Sequence, residues 1–278
     1  MPSLKEITLA GLSNMRKNGV LSVPLDESAR EILRDWMESK RFARAGAPRE
    51  AAPHPAAAPA LPPALGAAPQ TVEEKLAYLR ERAERWAAAR RLGTLRDTMV
   101  FAVGNPRARL MFVGEAPGYD EERLREPFVG KAGQKLNGIL RAMGLSRDEV
   151  YISNICKFRP SMGERQGTAN RPPTDEEIAA CLPLVLAEIR AIRPACVVCL
   201  GATAARGLLG SASSVASLRG KWFESQGVPV RVTYHPSYLL RNEALSARRA
   251  VWEDMLAVME RLSLPISPKQ RAFFLPKN

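Results

Sequence analysis

The sequence predicts an α/β protein, a three-layer α/β/α sandwich around a central four-stranded parallel sheet. Four short apolar runs recur along the chain, Arg109–Val113, Val150–Ile155, Ala195–Leu200 and Val230–Tyr234, each the length of a buried strand. Helix-patterned segments separate them, and strands alternating with helices form parallel sheets covered on both faces. At 46% hydrophobic and 25% charged, the 278 residues can fill a sizeable core.

Residues 1–44 read as an N-terminal extension. Met1–Val20 carries scattered charge and no apolar block, so no signal peptide is expected. Leu25–Phe42 places Ile32, Leu33, Trp36 and Met37 at helical spacing behind a capping Asp26, a short amphipathic helix. Residues 45–70 are dominated by alanine and proline, the composition of an extended, semi-rigid linker. The main domain spans residues 71–262. It opens with a charged helix over Thr71–Arg91, and Thr174 with Glu177 forms a capping box for a helix ending near Ile192. Residues 263–278 form a tail. Its Gln270–Phe274 stretch is similar to the Gln-plus-aromatic peptides that bind sliding clamps, and equally suits an apolar tail folded back on the domain.

Composition narrows the partners. Forty-one Lys and Arg against 29 Asp and Glu give a net charge of +12, which favours polyanions through counterion release and also suits a merely solvated surface. No stretch reaches the roughly 18 apolar residues that a membrane span needs. Cys156, Cys181, Cys196 and Cys199 all lie inside apolar runs, as expected of reduced thiols in a cytoplasmic protein. His54 falls in the linker, which leaves His235 as the one imidazole available to the domain and excludes a zinc site built from several histidines.

Ligands of parallel sheets bind at the carboxyl ends of the strands, so the residues there carry the functional reading. The first run ends in Gly114-Glu115-Ala116-Pro117-Gly118, a tight turn followed by Tyr119, Asp120, Glu121 and Glu122. Phe128 follows in Glu126–Gly133, as a stacking platform or a core plug. The second run ends at Asn154, whose amide presents a donor and an acceptor to a base edge or caps a turn. Gly201-Ala202-Thr203-Ala204 after the third reads as close packing. The fourth leads into His235–Arg241, where Tyr238, Leu239 and Leu240 beside Arg241 suit a wedge entering a duplex, or a buried turn. Together they suit extrusion of a base, its recognition and cleavage of its glycosidic bond.

On GEAPG (Gly114–Gly118), EPFVGKAG (Glu126–Gly133), SNICKFRP (Ser153–Pro160), Leu200-Gly201, RGKW (Arg219–Trp222) and HPSYLLR (His235–Arg241), the chain from about Thr71 to Leu262 resembles the uracil-DNA glycosylase superfamily, and most closely its family 4, the iron–sulfur type. The resemblance implies a DNA-repair glycosylase that flips uracil out of DNA. Phe128 would stack on uracil, Asn154 would read its Watson–Crick edge and His235 would donate to O2. Glu115 and Glu121 fall at functional acids, one to orient water or stabilise the cationic sugar, with Glu121 also placed to crowd C5 against thymine. Backbone amides around Ala116 and Gly118 would hold base and phosphate. Lys131, Arg219, Ser237, Tyr238, Leu239, Leu240 and Arg241 would contact DNA, Leu239 filling the gap left by the base.

The cluster motif departs from that pattern. Family cysteines would fall at Ala87, Arg90 and Phe158, and Cys181 alone coincides with one; Cys156, two positions away, is expected to face the other side of its strand. The expectation is no metal and no cofactor, with Trp86 and Phe158 filling the space. The loop Ser161–Arg171 is longer than usual and carries Arg165 and Arg171 near the DNA-facing edge. The reading is a monomeric, monofunctional glycosylase acting on uracil-containing DNA without a lyase step, since no lysine stands in these motifs as a Schiff-base nucleophile. The rivals are the same fold acting on hypoxanthine, a non-catalytic binder of damaged DNA, and a covalent trap of the abasic product.

Overall fold

The computed structural model describes residues 69–164 and 166–276. The amphipathic helix expected at Leu25–Phe42, nearly all of the Ala/Pro linker, and Arg165 lie outside the described residues. Helix α1 (Val72–Glu84) starts at Thr71, whose hydroxyl accepts from the Glu74 amide while the Glu74 carboxylate accepts from the Thr71 amide. The expected helix to Arg91 is interrupted. Trp86 leaves the helical conformation so that its buried indole can donate to the Ala180 carbonyl at 2.6 Å, and a short α2 (Ala87–Arg90) follows.

The chain then runs through β1 (Leu95–Met99), β2 (Ala102–Gly104), β3 (Leu110–Gly114), α3 (Tyr119–Leu124), α4 (Lys131–Met143), a 3₁₀ turn at Arg147–Glu149, β4 (Tyr151–Asn154) and β5 (Phe158–Pro160). After them come α5 (Asp175–Ile192), β6 (Cys196–Leu200), α6 (Ala202–Leu209), α7 (Val215–Leu218), β7 (Trp222–Ser225), β8 (Val228–Thr233), α8 (Tyr238–Arg241), α9 (Leu245–Arg261) and α10 (Pro268–Arg271). The main sheet has six strands in the order β2-β4-β3-β6-β8-β7 rather than four. The four expected strands form its parallel centre, and β2 and β7 add antiparallel edges. Strands β1 and β5 pair separately.

Alternation along each strand builds the three layers. Met111, Val113, Tyr151, Val197 and Cys199 face one core with α1 and α5, through Leu79, Leu184 and Ile189. Leu110, Phe112, Ile152, Cys196 and Val198 face the other, with Leu136 and Leu140 of α4 and Trp252 and Met259 of α9. The Thr174–Glu177 capping box is formed as expected. The tail folds back on the domain: Trp252 Nε1 donates to the Gln270 carbonyl, Gln270 Nε2 donates to the Ala142 carbonyl, and Phe273 rests 5.3 Å from the Trp252 ring. Contact of Gln270–Phe274 with a clamp first requires release of this packing.

At the carboxyl end of β4 a charged pair is fully enclosed. Lys157 Nζ lies 2.6 Å from Glu188 Oε1, and both side chains have no exposed area. The ammonium also donates to Ser153 Oγ at 2.5 Å and to the Asn154 carbonyl at 3.1 Å, and Ser153 Oγ donates to Glu188 Oε2. Burial raises the Glu188 pKa against the pull of Lys157. Desolvation makes such a pair a weak source of stability, yet removing one partner strands the other. Lys157→Met should therefore cost about 3–5 kcal/mol, and Lys157→Met with Glu188→Leu should regain most of it. Urea denaturation midpoints decide this; a double variant as unstable as the single one contradicts the account.

Candidate active site

The four parallel strands end beside a single cleft of 490 Å³, lined among others by Glu115, Gly118, Phe128, Asn154, Gly201 and His235. Each group arrives from a strand end or the segment after it. Glu115 follows β3, Asn154 closes β4, Gly201 follows β6, and His235 lies two residues beyond β8. Gly114 of β3 is paired in register with Asn154 of β4. A Cβ at Gly114 would stand 2.4 Å from Asn154 Oδ1 and 2.4 Å from Phe128 Cζ, so the missing side chain lets amide and ring converge. The side-chain oxygen of Asn154, Oδ1, is buried and has no hydrogen-bond donor among the described residues. A buried acceptor left open is costly, which marks it as waiting for a ligand's donor.

The phenyl ring of Phe128 is 5.7 Å from the imidazole of His235, tilted by 34°. Phe128 is buried and holds a left-handed backbone, φ 56°, a conformation rare for an aromatic residue and worth of order 1–3 kcal/mol in strain. Its carbonyl presses against α4 where a Cβ at Gly133 would lie 1.8 Å away, so position 133 admits only glycine. Glu121 fastens the same loop. Its carboxylate accepts from the amides of Val129 (3.1 Å) and Gly130 (2.8 Å) with one oxygen, and from Gly118 (3.1 Å) with the other. Glu121 thus joins the GEAPG turn to the Phe128 loop.

His235 is set up as a neutral donor. The Ser237 amide donates to Nδ1 at 3.2 Å, and Ser237 Oγ lies 2.8 Å from the same nitrogen. An Nδ1 that accepts leaves the proton on Nε2. Burial, reinforced by the Arg241 charge, lowers the pKa from 6.5 to about 4. Glu115 faces the cleft with Oε2 accepting from Thr203 Oγ1 at 2.5 Å. Sequence reasoning read Thr203 only as packing, because a hydroxyl reaching 88 positions back along the chain leaves no local signal. It also missed Asn170, which lines the cleft and accepts from Arg159 Nε at 2.9 Å.

Ala116, Gly118, Phe128, Asn154, Glu115, Glu121, Ser237, Arg241 and His235 all meet at the cleft, and Lys131 stands exposed at the start of α4. Three of the residues expected to contact DNA have partners within the protein. Leu239 is buried against Ala247 and Val251, whereas the neighbouring Leu240 is 38% exposed. Tyr238 stacks on Tyr234 at 4.5 Å, and its hydroxyl accepts from Asn242, so it braces the turn. Arg219 is bound to Asp254 at 2.6 Å and to the Ala250 carbonyl, beside the Tyr234 ring.

The side chains around Cys181 do not supply the donors of the iron–sulfur cluster that the resemblance brings to this place. Cys156 faces Cys181 rather than away from it, because it lies in the turn between β4 and β5, where strand alternation does not apply and Ile155, Cys156 and Phe158 all enter one core. Its thiol donates to the Glu177 carbonyl at 3.7 Å, and interaction with the neighbouring Cys181 thiol pushes the Cys156 pKa up and pulls Cys181 down. The remaining volume holds Trp86 and Phe158, with the Arg90 guanidinium 4.6 Å from the Phe158 ring. Among the described residues, nowhere do three His, Cys, Asp or Glu gather as metal ligands. Two thiols and a cation over a phenyl ring do not fit a four-thiolate cluster. Cys196 and Cys199 lie on opposite faces of β6, and burial raises Cys196 to about 12 and Cys199 further.

Comparison with known proteins agrees with this geometry. The description "Uracil DNA glycosylase superfamily" matches residues 101–256. A type-4 uracil-DNA glycosylase of Thermotoga maritima is 41% identical over 189 residues, covering 66% of this chain and 93% of that protein. One from Archaeoglobus fulgidus is 40% identical over 146 residues, 50% of this chain and 70% of the relative. A type-5 uracil-DNA glycosylase of Pyrobaculum aerophilum is 35% identical over 153 residues, 49% and 64% respectively. With more than half its length inside the family match, and its strand ends bearing the cleft just described, the chain belongs to the uracil DNA glycosylase superfamily.

Proposed function

We propose that the protein is a monofunctional uracil-DNA glycosylase that hydrolyses the N-glycosidic bond of a flipped uracil and leaves an abasic site. The observation that carries the reading is the buried Asn154 Oδ1, without a donor among the described residues, in a cleft that also presents a phenyl ring and a neutral imidazole. Uracil offers N3–H to that oxygen and O4 to the amide nitrogen, with its face against Phe128. As the bond to C1′ breaks, charge collects on uracil O2, where His235 Nε2–H donates without a proton having to leave the base first. Glu115, held by Thr203, faces the cationic sugar and takes a proton from the attacking water. Glu121, with its oxygens engaged by backbone amides, keeps the Phe128 loop in place. Leu240 enters the gap in the duplex, with Arg241 and Lys131 near the phosphates.

Hypoxanthine presents a similar N–H and carbonyl pair, so the substrate test includes it. Oligonucleotides bearing uracil, hypoxanthine or thymine are incubated with the protein and then treated with alkali. Scission of the uracil strand alone is expected; scission at hypoxanthine changes the base assignment, and retarded but intact DNA makes the protein a binder. A gel-stable adduct would establish a covalent trap. Asn154→Ala and His235→Ala should each lower the single-turnover rate by about a hundredfold or more while binding to undamaged DNA holds. Equal loss of both would assign these residues to the fold.

The imidazole sets a pH signature. With the folded value near 4 and the unfolded one near 6.5, the unfolded chain binds the extra proton between those limits, so this group's contribution to stability falls as the pH drops from 6.5 to 4. Excision should show no His235 inflection from about pH 6 to 8, and His235→Gln should flatten the acid-side fall in melting temperature. A rate inflection near 6.5 that disappears in His235→Gln contradicts a neutral donor. The proposed enzyme works without an iron–sulfur cluster: activity should survive chelators, and stoichiometric iron with broad absorbance near 400 nm would refute this.

A further inference from the structure

The strained ring of the cleft is held by a residue outside every recognised motif. Arg147 sits in the 3₁₀ turn before β4, with its side chain one-fifth exposed. Its guanidinium donates Nη2 to the Pro127 carbonyl at 2.8 Å and Nη1 to the Phe128 carbonyl at 3.0 Å. The same two nitrogens reach Glu126 Oε1 at 2.8 Å and Asn137 Oδ1 at 3.2 Å.

The geometry has a definite consequence. The Pro127 carbonyl belongs to the peptide plane before Phe128, and the Phe128 carbonyl to the plane after it. One rigid, planar group bound to both planes fixes φ and ψ of the residue between them. From the other edge, Glu121 accepts the Val129 amide, which lies in the second of those planes. The left-handed backbone of Phe128, φ 56°, is thereby determined from two sides. We infer that Arg147 is a positioning residue for base capture, acting through the backbone of Phe128. This rests on the reading of Phe128 as the ring that stacks on the flipped base. Lysine cannot replace the fork, since an ammonium is a point donor on a flexible stem.

A double-mutant cycle tests the inference, using single-turnover excision of uracil by Arg147→Ala, Arg147→Lys, Phe128→Ala and the Arg147→Ala/Phe128→Ala variant. Arg147→Ala should lower the rate at subsaturating enzyme by about tenfold to a hundredfold, the range of one lost base–aromatic stack. Binding to undamaged duplex should be unchanged, and Arg147→Lys should fall between Arg147→Ala and the unaltered protein. In the Phe128→Ala background the arginine change should cost less than about twofold, because its route to the base is already gone. Full additivity, or an Arg147→Ala protein as active as the unaltered one, overturns the inference. If Arg147→Ala does not fold, Arg147→Lys carries the cycle; if neither folds, Arg147 belongs to the fold and the inference fails.

Hydrogen exchange reads the same claim without any activity. Arg147→Ala should speed exchange of the Val129 and Gly130 amides while the β3 and β4 amides keep their protection. Unchanged exchange at Val129 and Gly130 rejects the clamp. An unaltered protein inert on uracil rejects the proposed function instead, and the exchange result still decides whether Arg147 sets the loop.

Discussion

Everything in the cleft depends on one register position where a side chain is missing. Gly114 and Asn154 are partners across β3 and β4, and the space a Cβ would occupy at residue 114 is already shared by the Asn154 amide and the Phe128 ring. Amide and ring can converge only because the strand beside them is bare. That arrangement propagates outward. To bring its ring there Phe128 adopts a backbone that aromatic residues avoid, its carbonyl requires glycine at 133, and the carboxylate of Glu121 and the guanidinium of Arg147 hold the neighbouring peptides.

Charge is divided between two duties. Behind the sheet ends, ions are enclosed in pairs: Lys157 with Glu188, Arg159 with Glu122 at 2.9 Å, and Asp254 with Arg231 at 2.8 Å and with Arg219. Desolvation leaves such pairs little net stability, and their value lies in fixing which groups face which. Each one ends near a functional segment. Lys157 holds the Asn154 carbonyl, Arg159 holds Asn170 and the Ala169 carbonyl, and Arg219 lies beside the Tyr234 ring. Inside the cleft, carboxylates and a guanidinium stand beside a neutral imidazole and an amide oxygen, Asn154 Oδ1, that has no donor among the described residues.

The layers were legible because apolar runs of strand length and a capping box are local signals. The four runs became the parallel centre within a residue or two, and Thr174 caps α5 through Glu177 as its spacing implied. The edge strands were not legible. Ala102–Gly104 has three residues and Trp222–Ser225 is half exposed, so neither carries the alternation or length that marks a strand. At the site, the strand-end residues were readable because a parallel sheet sends its carboxyl ends to one place. Residues acting through long-range hydrogen bonds were not: Thr203 on Glu115 and Arg147 on the Phe128 carbonyl have partners 88 and 19 positions away. Leu239 and Leu240 were adjacent apolar candidates, and only the packing of Ala247 and Val251 decides that the first is core and the second exposed.

The region around Cys156 and Phe158 bears on the cleft through a single turn. Residues 154–158 leave β4, pass Cys156 and enter β5, and within that stretch the Cys156 amide donates to the Glu115 carbonyl at 3.0 Å while Lys157 caps the Asn154 carbonyl. Any group packed against Cys156 and Phe158 therefore sets the backbone of both the base-reading amide and the acid. A metal cluster fixes such a turn by covalent bonds at several points. Here the turn is fixed by an apolar plug of Trp86 and Phe158, closed over by Arg90, which also bonds Asp97 at 2.6 Å, together with a buried ammonium. Directional bonds are exchanged for close packing, and close packing tolerates little change in volume. The demand on shape at positions 86 and 158 is accordingly as strict as a ligand's demand on chemistry, so a large residue at each is part of how the cleft is built.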